Sequence, residues 1–354
     1  MAAGVAAGMG GGLLPDLARA QPKRGGTFRA ALGAGTTADT LDPGNWANEF
    51  TIGQAHGYCG FLTGVNRDGS LEAQVAESWE AEPGAASWRF KIRSGVTYHS
   101  GKTVTPEDVV ASIRFHMGDD STSAATPLLD GIPDISIDGD TVVFDLSSGN
   151  ADFPFTFTDY HLPIMPSSDG VIDWQSGDGC GPYRLAEFTP GVSSRFVKHE
   201  NDFISDRGYF DEIDMIAVVD PNARTAALVS GDVNFIDRLD LKTVGLMGRN
   251  PGIQIHSVPG NQHYVFPMST NKEPFTDVNI RRALKYAINR QELVDKILFG
   301  YGSLGNDHPI GRGQRFFNDE LAQTTYDPDK AKFYLKESGL DSLEVTLSAA
   351  DAAF

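Results

Sequence analysis

The segment 274–300, PFTDVNIRRALKYAINRQELVDKILFG, constrains the fold more than any other part of the chain. Thr276 or Asp277 can cap a helix start, because either side-chain oxygen can accept a hydrogen bond from a free backbone N–H. Ile280, Ala283, Leu284, Ala287 and Ile288 then recur at helical spacing and lay one apolar stripe against a core. Arg281, Arg282 and Lys285 fall off that stripe, with room to reach solvent. Asn289 and Arg290 interrupt it, and Leu293, Val294, Ile297 and Leu298 begin a second stripe. The pattern predicts two short helices in tandem, closed by Gly300. No catalytic group stands out in them, so their apolar faces are read as core packing.

At 354 residues the chain exceeds the size at which one core usually stops growing, so two lobes are expected. With 40% hydrophobic and 21% charged residues it has the composition of an ordinary globular protein. A net charge of -18 argues against nucleic acid or an anionic membrane surface as partner, since both would repel it. The same charge suits a soluble monomer and mildly favours cationic ligands.

Residues 1–20 do not read as fold. Ala2 to Leu14 is small, apolar and rich in glycine, and Ala18-Arg19-Ala20 offers a small-x-small cleavage pattern. The run is too short and too glycine-rich for a membrane span, and no basic segment precedes it. The expectation is the remnant of a signal peptide, with a disordered tail as the alternative and with the export route open between the general and twin-arginine systems. Neither cysteine, Cys59 or Cys180, lies at the cleavage site, which argues against a lipid anchor. An exported chain can oxidise them, so they are a candidate disulfide pair, with two separate buried thiols as the alternative.

Along the chain, a strand is expected over 26–32, a helix over 48–62, and a hairpin at Asp68-Gly69. Strands follow over 78–80 and 87–92. Thr105 caps the next helix, with Pro106 at its first position and Asp108 completing a capping box. Val109, Ile113 and Met117 form its buried face. A hairpin is expected over 132–146 about Asp138-Gly139-Asp140, then strands over 183–188 and 192–198 across Pro190-Gly191, and a buried strand over 213–219. Asp220-Pro221 starts a helix ended by Gly231, and a short helix spans 241–247. Strands are expected over 253–258 and 264–268. Asp327 caps a last helix, stopped by Gly339, before a strand over 343–347.

Two patterns imitate ligand sites. Gly33-Ala34-Gly35-Thr36-Thr37-Ala38 has dinucleotide-fingerprint spacing, but a turn follows where a helix must open. Asp134, Ser136, Asp138 and Asp145 imitate a calcium loop, but Ile135, Ile137, Val142 and Phe144 alternate as strand residues do. Hydrolase elbows, zinc-protease helices, C-x-x-C pairs and phosphate loops are absent from the sequence. No catalytic residue, metal ligand set or cofactor site is therefore assigned. His99 is read as structural, and the carboxylates Asp119 and Asp120 as solvated in a Ser/Thr-rich loop.

The segment 274–290, with Pro274, Phe275, Asp277, Arg281, Ala283, Leu284, Ala287, Ile288 and Arg290, resembles a hallmark of the extracellular solute-binding proteins of family 5, which serve ABC importers of peptides, nickel and opines. Thr40-Leu41-Asp42-Pro43, Glu77-Ser78-Trp79, the run 88–96, Tyr98-His99-Ser100-Gly101, Thr105-Pro106-Glu107-Asp108-Val109, Gly181-Pro182-Tyr183 and Tyr326-Asp327-Pro328 extend the resemblance over most of the chain, in order. It implies an α/β, two-lobed periplasmic-binding-protein fold of type II, in the large cluster with an extra subdomain. The first lobe would be 21–262, with its core in 21–45 and 165–262 and an inserted subdomain in 46–164. The segment 263–354 would begin the second lobe, so the chain reads as C-terminally truncated.

The resemblance further implies a periplasmic, non-enzymatic protein that binds a small solute, a peptide above all, between its lobes and delivers it to an ABC permease with its ATPase. An exported metal-dependent hydrolase and a solute sensor for a signalling partner are the alternatives. The segments resembling cleft-facing parts of the family carry Trp46, Asn48 and Glu49; Tyr264 and Phe266, beside Gln262 and His263; and Asn306, Asp307 and His308. A cleft of that kind uses aromatic walls, amide or hydroxyl contacts and a charge. The alternatives are strand packing for Tyr264 and Phe266 and a plain turn for Asn306 and Asp307.

Overall fold

The computed structural model describes residues 23–66, 68–118, 120–258, 260, 262–312 and 316–348. The expected signal-peptide remnant at 1–20 lies outside them. The chain divides into two compact units, Met1–Arg238 and Leu239–Phe354. The segment 239–262, expected with the first lobe, is thereby grouped with the second unit.

In the first unit β1 (Thr27–Leu32) is followed by a 3-10 turn (Pro43–Asn45) and α1 (Glu49–Tyr58). Next come β2 (Thr63–Val65), β3 (Leu71–Ala73), β4 (Ala76–Ala81), β5 (Ser87–Ile92), α2 (Pro106–Arg114) and α3 (Thr126–Leu129). The hairpin β6 (Asp134–Asp138) and β7 (Thr141–Asp145) leads to a 3-10 run (Phe153–Thr158) and the small pair β8 (Ser167–Ser168) and β9 (Val171–Ile172). The unit closes with β10 (Tyr183–Thr189), β11 (Ser193–Lys198), β12 (Glu212–Ala217), α4 (Pro221–Ser230) and β13 (Phe235–Ile236).

Two sheets organise this unit. One has five strands in the order β10-β11-β12-β1-β13, in which β1 runs parallel to both β12 and β13. Helix α1 packs on β10 and β11 of this sheet. It approaches closely because Gly53 and Gly57 carry no side chain: a Cβ there would meet Met215 Cε at 2.9 Å and Phe196 Cε1 at 3.1 Å. Phe50, Ala55 and Tyr58 fill the core beside Phe196 and Met215.

The other sheet, β4-β5-β7-β6, is antiparallel throughout. Trp88, Phe90 and Ile92 alternate inward along β5, and Phe90 meets the edges of Phe144 and Phe157 at centroid distances of 5.5 and 5.1 Å. Val109 and Ile113 of α2 lie in the same core. The α2 capping box forms as the sequence predicts: Asp108 N donates to Thr105 Oγ1 and Thr105 N donates to Asp108 Oδ2. The calcium-loop imitation is the β6–β7 hairpin, turned at Gly139 with φ of 64°.

Cys59 and Cys180 are unbonded thiols, both buried. Their backbones are neighbours, since Gly181 N donates to Tyr58 O at 2.9 Å. Cys59 joins the core under α1 and Cys180 the core of the antiparallel sheet. Burial pushes the Cys59 thiol well up and the Cys180 thiol to about 12, so neither is a nucleophile at neutral pH.

In the second unit α5 (Val244–Met247) precedes the tandem helices α6 (Val278–Ala287) and α7 (Arg290–Lys296), and α8 (Pro328–Glu337) packs on α6. Asp277 caps α6 by accepting from Asn279 N, and Asn289 caps α7 by accepting from Glu292 N. Ile280, Ala283 and Val294 are the buried members of the two stripes. Tyr286 of α6 stacks on Tyr334 of α8 at 5.8 Å. Arg281 is half-buried, and its guanidinium donates to the carbonyls of Phe275 and Thr276. The strands expected over 253–258, 264–268 and 343–347 are not formed in the described residues. A strand requires a ladder partner, and none is paired with them there.

Candidate functional site

Strands β1, β12 and β13 are parallel, so the loops after their C-terminal ends gather at one edge of the sheet, the edge where α/β sheets place ligands. Arg224 of α4, 4% exposed, ties that edge together. Its Nη1 donates to the carbonyls of Val218 and Val219 at 2.7 and 2.8 Å, and its Nη2 donates to Arg238 O at 3.2 Å. Its Nε lies 3.7 Å from Asp237 Oδ1, an ion contact rather than a hydrogen bond. Gly33 N donates to the same oxygen at 2.7 Å. Burial raises the Asp237 carboxyl above the usual carboxylate range, outweighing the Gly33 amide and the Arg224 guanidinium, which lower it. Glycine is required at position 33, because a Cβ would sit 2.8 Å from Arg224 Cζ. The fingerprint imitation that begins here opens no helix; α1 starts only at Glu49.

Next to this edge lie three of the residues singled out in the sequence, and each already has a partner in the fold. The Trp46 indole, 1% exposed, donates to Thr40 O at 2.9 Å and packs edge-on to Tyr58, so it is core rather than an open wall. Asn48 caps α1 through Phe50 N and Thr51 N, while its Nδ2 donates to Asp39 Oδ1 at 2.8 Å. Glu49 pairs with Arg238.

The Trp46 segment also borders a cavity of about 360 Å³. Asp42, Gly44 and Asn45 line one side, Asp120, Ser121, Thr122 and Ser123 another, with Phe115 and Trp174 supplying rings. Asp42 Oδ1 accepts from Gly44 N at 2.9 Å and its Oδ2 accepts from Asn45 Nδ2 at 2.7 Å, which fixes the carboxylate. Behind the cavity, Ser123 Oγ lies 2.6 Å from Nδ1 of the buried His116. A further histidine, His161, bridges Asp159 Oδ1 and Trp46 O, each at 2.7 Å.

The Ser123–His116 contact is not a nucleophile with its base. Burial, helped by His161, lowers His116 to about 4, whereas a general base works best with a pKa near the operating pH. The low value has a consequence for stability. In the unfolded chain a histidine titrates near 6.5, so between pH 6.5 and 4 the unfolded state binds the extra proton. The contribution of neutral His116 is complete above that window and is lost as pH falls through it, by about 3 kcal/mol in all. Urea unfolding at pH 7 and pH 4.5 should show this loss in the wild-type chain and a clearly smaller one in His116→Gln; equal losses would contradict it.

In the second unit Asn306 Nδ2 donates to Ala322 O at 3.1 Å and its Oδ1 accepts from Thr324 N at 2.8 Å, bracing a loop. Asp307, suggested by the sequence as a partner for a ligand amine, is held by Arg290 Nη2 at 2.6 Å and approached by Lys285 Nζ at 3.8 Å. His308 packs against Phe317 at 5.9 Å. Tyr264 and Phe266 lie on a segment without regular secondary structure, 49% and 47% exposed. Among the described residues no group of three or more His, Cys, Asp or Glu is arranged to hold a metal. No helix there is long and apolar enough to cross a membrane.

The model of the family described as "Bacterial extracellular solute-binding proteins, family 5 Middle" matches residues 70–350. The chain belongs to family 5. Similar curated proteins include heme-binding protein A of Haemophilus influenzae, 25% identical over 296 residues, covering 76% of this chain and 54% of that protein. The nickel-binding periplasmic protein of Escherichia coli is 25% identical over 291 residues, covering 78% of this chain and 55% of that one. The chain thus spans about half the length of the curated relatives it matches. Among solved structures, a periplasmic binding protein of Helicobacter pylori in complex with the peptide STSA has a TM-score of 0.74 at 20% identity, covering 90% of this chain and 67% of that one. That likeness gives this family 5 chain the α/β periplasmic-binding-protein fold.

The sequence reading missed the cavity residues Asp42, Asn45, Phe115, Ser123 and Trp174 as a group. Asp42 was visible as a turn former, but Phe115 and Trp174 are far apart in the chain and no local signal joins them.

Proposed function

We propose that this family 5 protein is the extracytoplasmic solute-binding component of an ABC importer. It captures a small solute and hands it to a membrane permease driven by an ATPase, without covalent chemistry. The observation that carries this reading is the family 5 match over residues 70–350, and the half-open pocket beside the Trp46 segment, about 360 Å³ and lined by aromatic, hydroxyl and carboxylate residues, is the proposed place for the solute. The relatives support it, since they are named for binding heme and nickel, and further ones for binding oligopeptides in Bacillus subtilis and dipeptides in Escherichia coli. Peptide is the favoured solute, because peptide chemistry recurs among them and in the STSA complex. Nickel complexes, heme and opines are the other solute classes. The protein works as a periplasmic monomer.

Thermal unfolding with a mixed tripeptide library, and mass spectrometry of the peptides afterwards, tests this. A ligand present at one hundred times its Kd stabilises the folded state by about 2.7 kcal/mol, so the midpoint rises by several degrees and the peptides are recovered intact. Peptide cleavage would assign the protein to the hydrolases, and an unmoved midpoint would remove peptides as the solute.

A further inference from the structure

Resting on the reading of the cavity as a solute site, we propose that it selects solutes carrying a compact organic cation, an ammonium or guanidinium group such as the basic side chain of a peptide. Among the described residues, the ionisable groups in its lining are the carboxylates Asp42 and Asp120, without Lys, Arg or His. Asp42 is held rigid by Gly44 N and Asn45 Nδ2, so a ligand pays no cost to orient it. Each of its oxygens retains a lone pair for a further donor.

Phe115 and Trp174 line the same space. The face of an aromatic ring attracts a cation and repels an anion, so aromatic and carboxylate residues in one lining favour the same ligand charge. An anionic group would lose its hydration beside Asp42 and gain no counter-charge. A volume of about 360 Å³ accepts a lysine or arginine side chain with part of its backbone. The overall charge of -18 also raises the local concentration of cations around the protein.

Calorimetric titration of the chain with trialanine and with its lysine-centred and glutamate-centred forms is the test. The lysine form should bind at least tenfold more tightly than the glutamate form. Asp120→Asn, at an exposed position, and Trp174→Ala should each reduce that ratio to below threefold, with far-UV circular dichroism melts confirming that both variants fold. Equal affinity for the two charged peptides, or a ratio unchanged in both folded variants, would overturn the charge selection while leaving the solute site standing. Absence of binding by all three peptides would instead overturn the peptide reading and this inference with it.

Discussion

Asp108→Ala should lower the stability of the first unit by about 3 kcal/mol. The side chain is 1% exposed and serves three segments at once. Its Oδ1 accepts from Lys102 Nζ at 2.7 Å and from Ser167 N and Oγ, each at 2.8 Å. Its Oδ2 accepts from Thr105 N at 3.1 Å and completes the α2 cap. Alanine removes these acceptor contacts, strands a backbone N–H at Ser167 and loses the reciprocal half of the capping box, while Thr105 Oγ1 can still accept from the N–H of residue 108. The Lys102 end is 42% exposed, so water recovers part of that loss and the estimate stays at the low end for a broken buried pair. Urea unfolding followed by tryptophan fluorescence should show a lower midpoint with an unchanged slope. A loss below 1 kcal/mol would mean that this carboxylate does not hold α2 to the β8–β9 pair.

Arg224→Met should cost about 3–4 kcal/mol. Methionine fills most of the space but cannot donate, leaving the carbonyls of Val218, Val219 and Arg238 without their donor and the half-buried Asp237 without its counter-charge. The carbonyls follow β12 and β13, so the damage falls on the ligand-placing edge of the sheet. Asp237→Asn alone should cost less, because that carboxyl is already raised by burial. In the Arg224→Met background it should cost less again or become favourable, since no cation is then left unpaired. Thermal unfolding of the four proteins as a double-mutant cycle measures the coupling. Strict additivity would show that the 3.7 Å ion contact contributes nothing.

How much could be read in advance follows the range of the physics. Caps depend on one side chain and a backbone two or three residues away: Thr105, Asp220 and Asp327 cap where the sequence places them, and of the two candidates Thr276 and Asp277 it is Asp277 that caps α6. The hairpin at Gly139 and the strand pair across Pro190-Gly191 are equally local. Ladders are not: 253–258 and 264–268 have strand-like composition, yet they find no partner among the described residues. Long-range charge pairing is not local either: Glu49 and Asp307, read as candidate ligand contacts, pair with Arg238 and Arg290 from other parts of the chain. Trp46, a candidate ligand contact in the sequence, is 1% exposed, because burial of an indole depends on what folds over it.

Mass spectrometry of the small molecules released when the protein, purified from its native compartment, is denatured tests the central claim most directly. The account predicts one dominant solute near one equivalent, recovered unaltered and able to bind again to the refolded chain. Release of reaction products from a bound substrate, or conversion of the solute during rebinding, would contradict it.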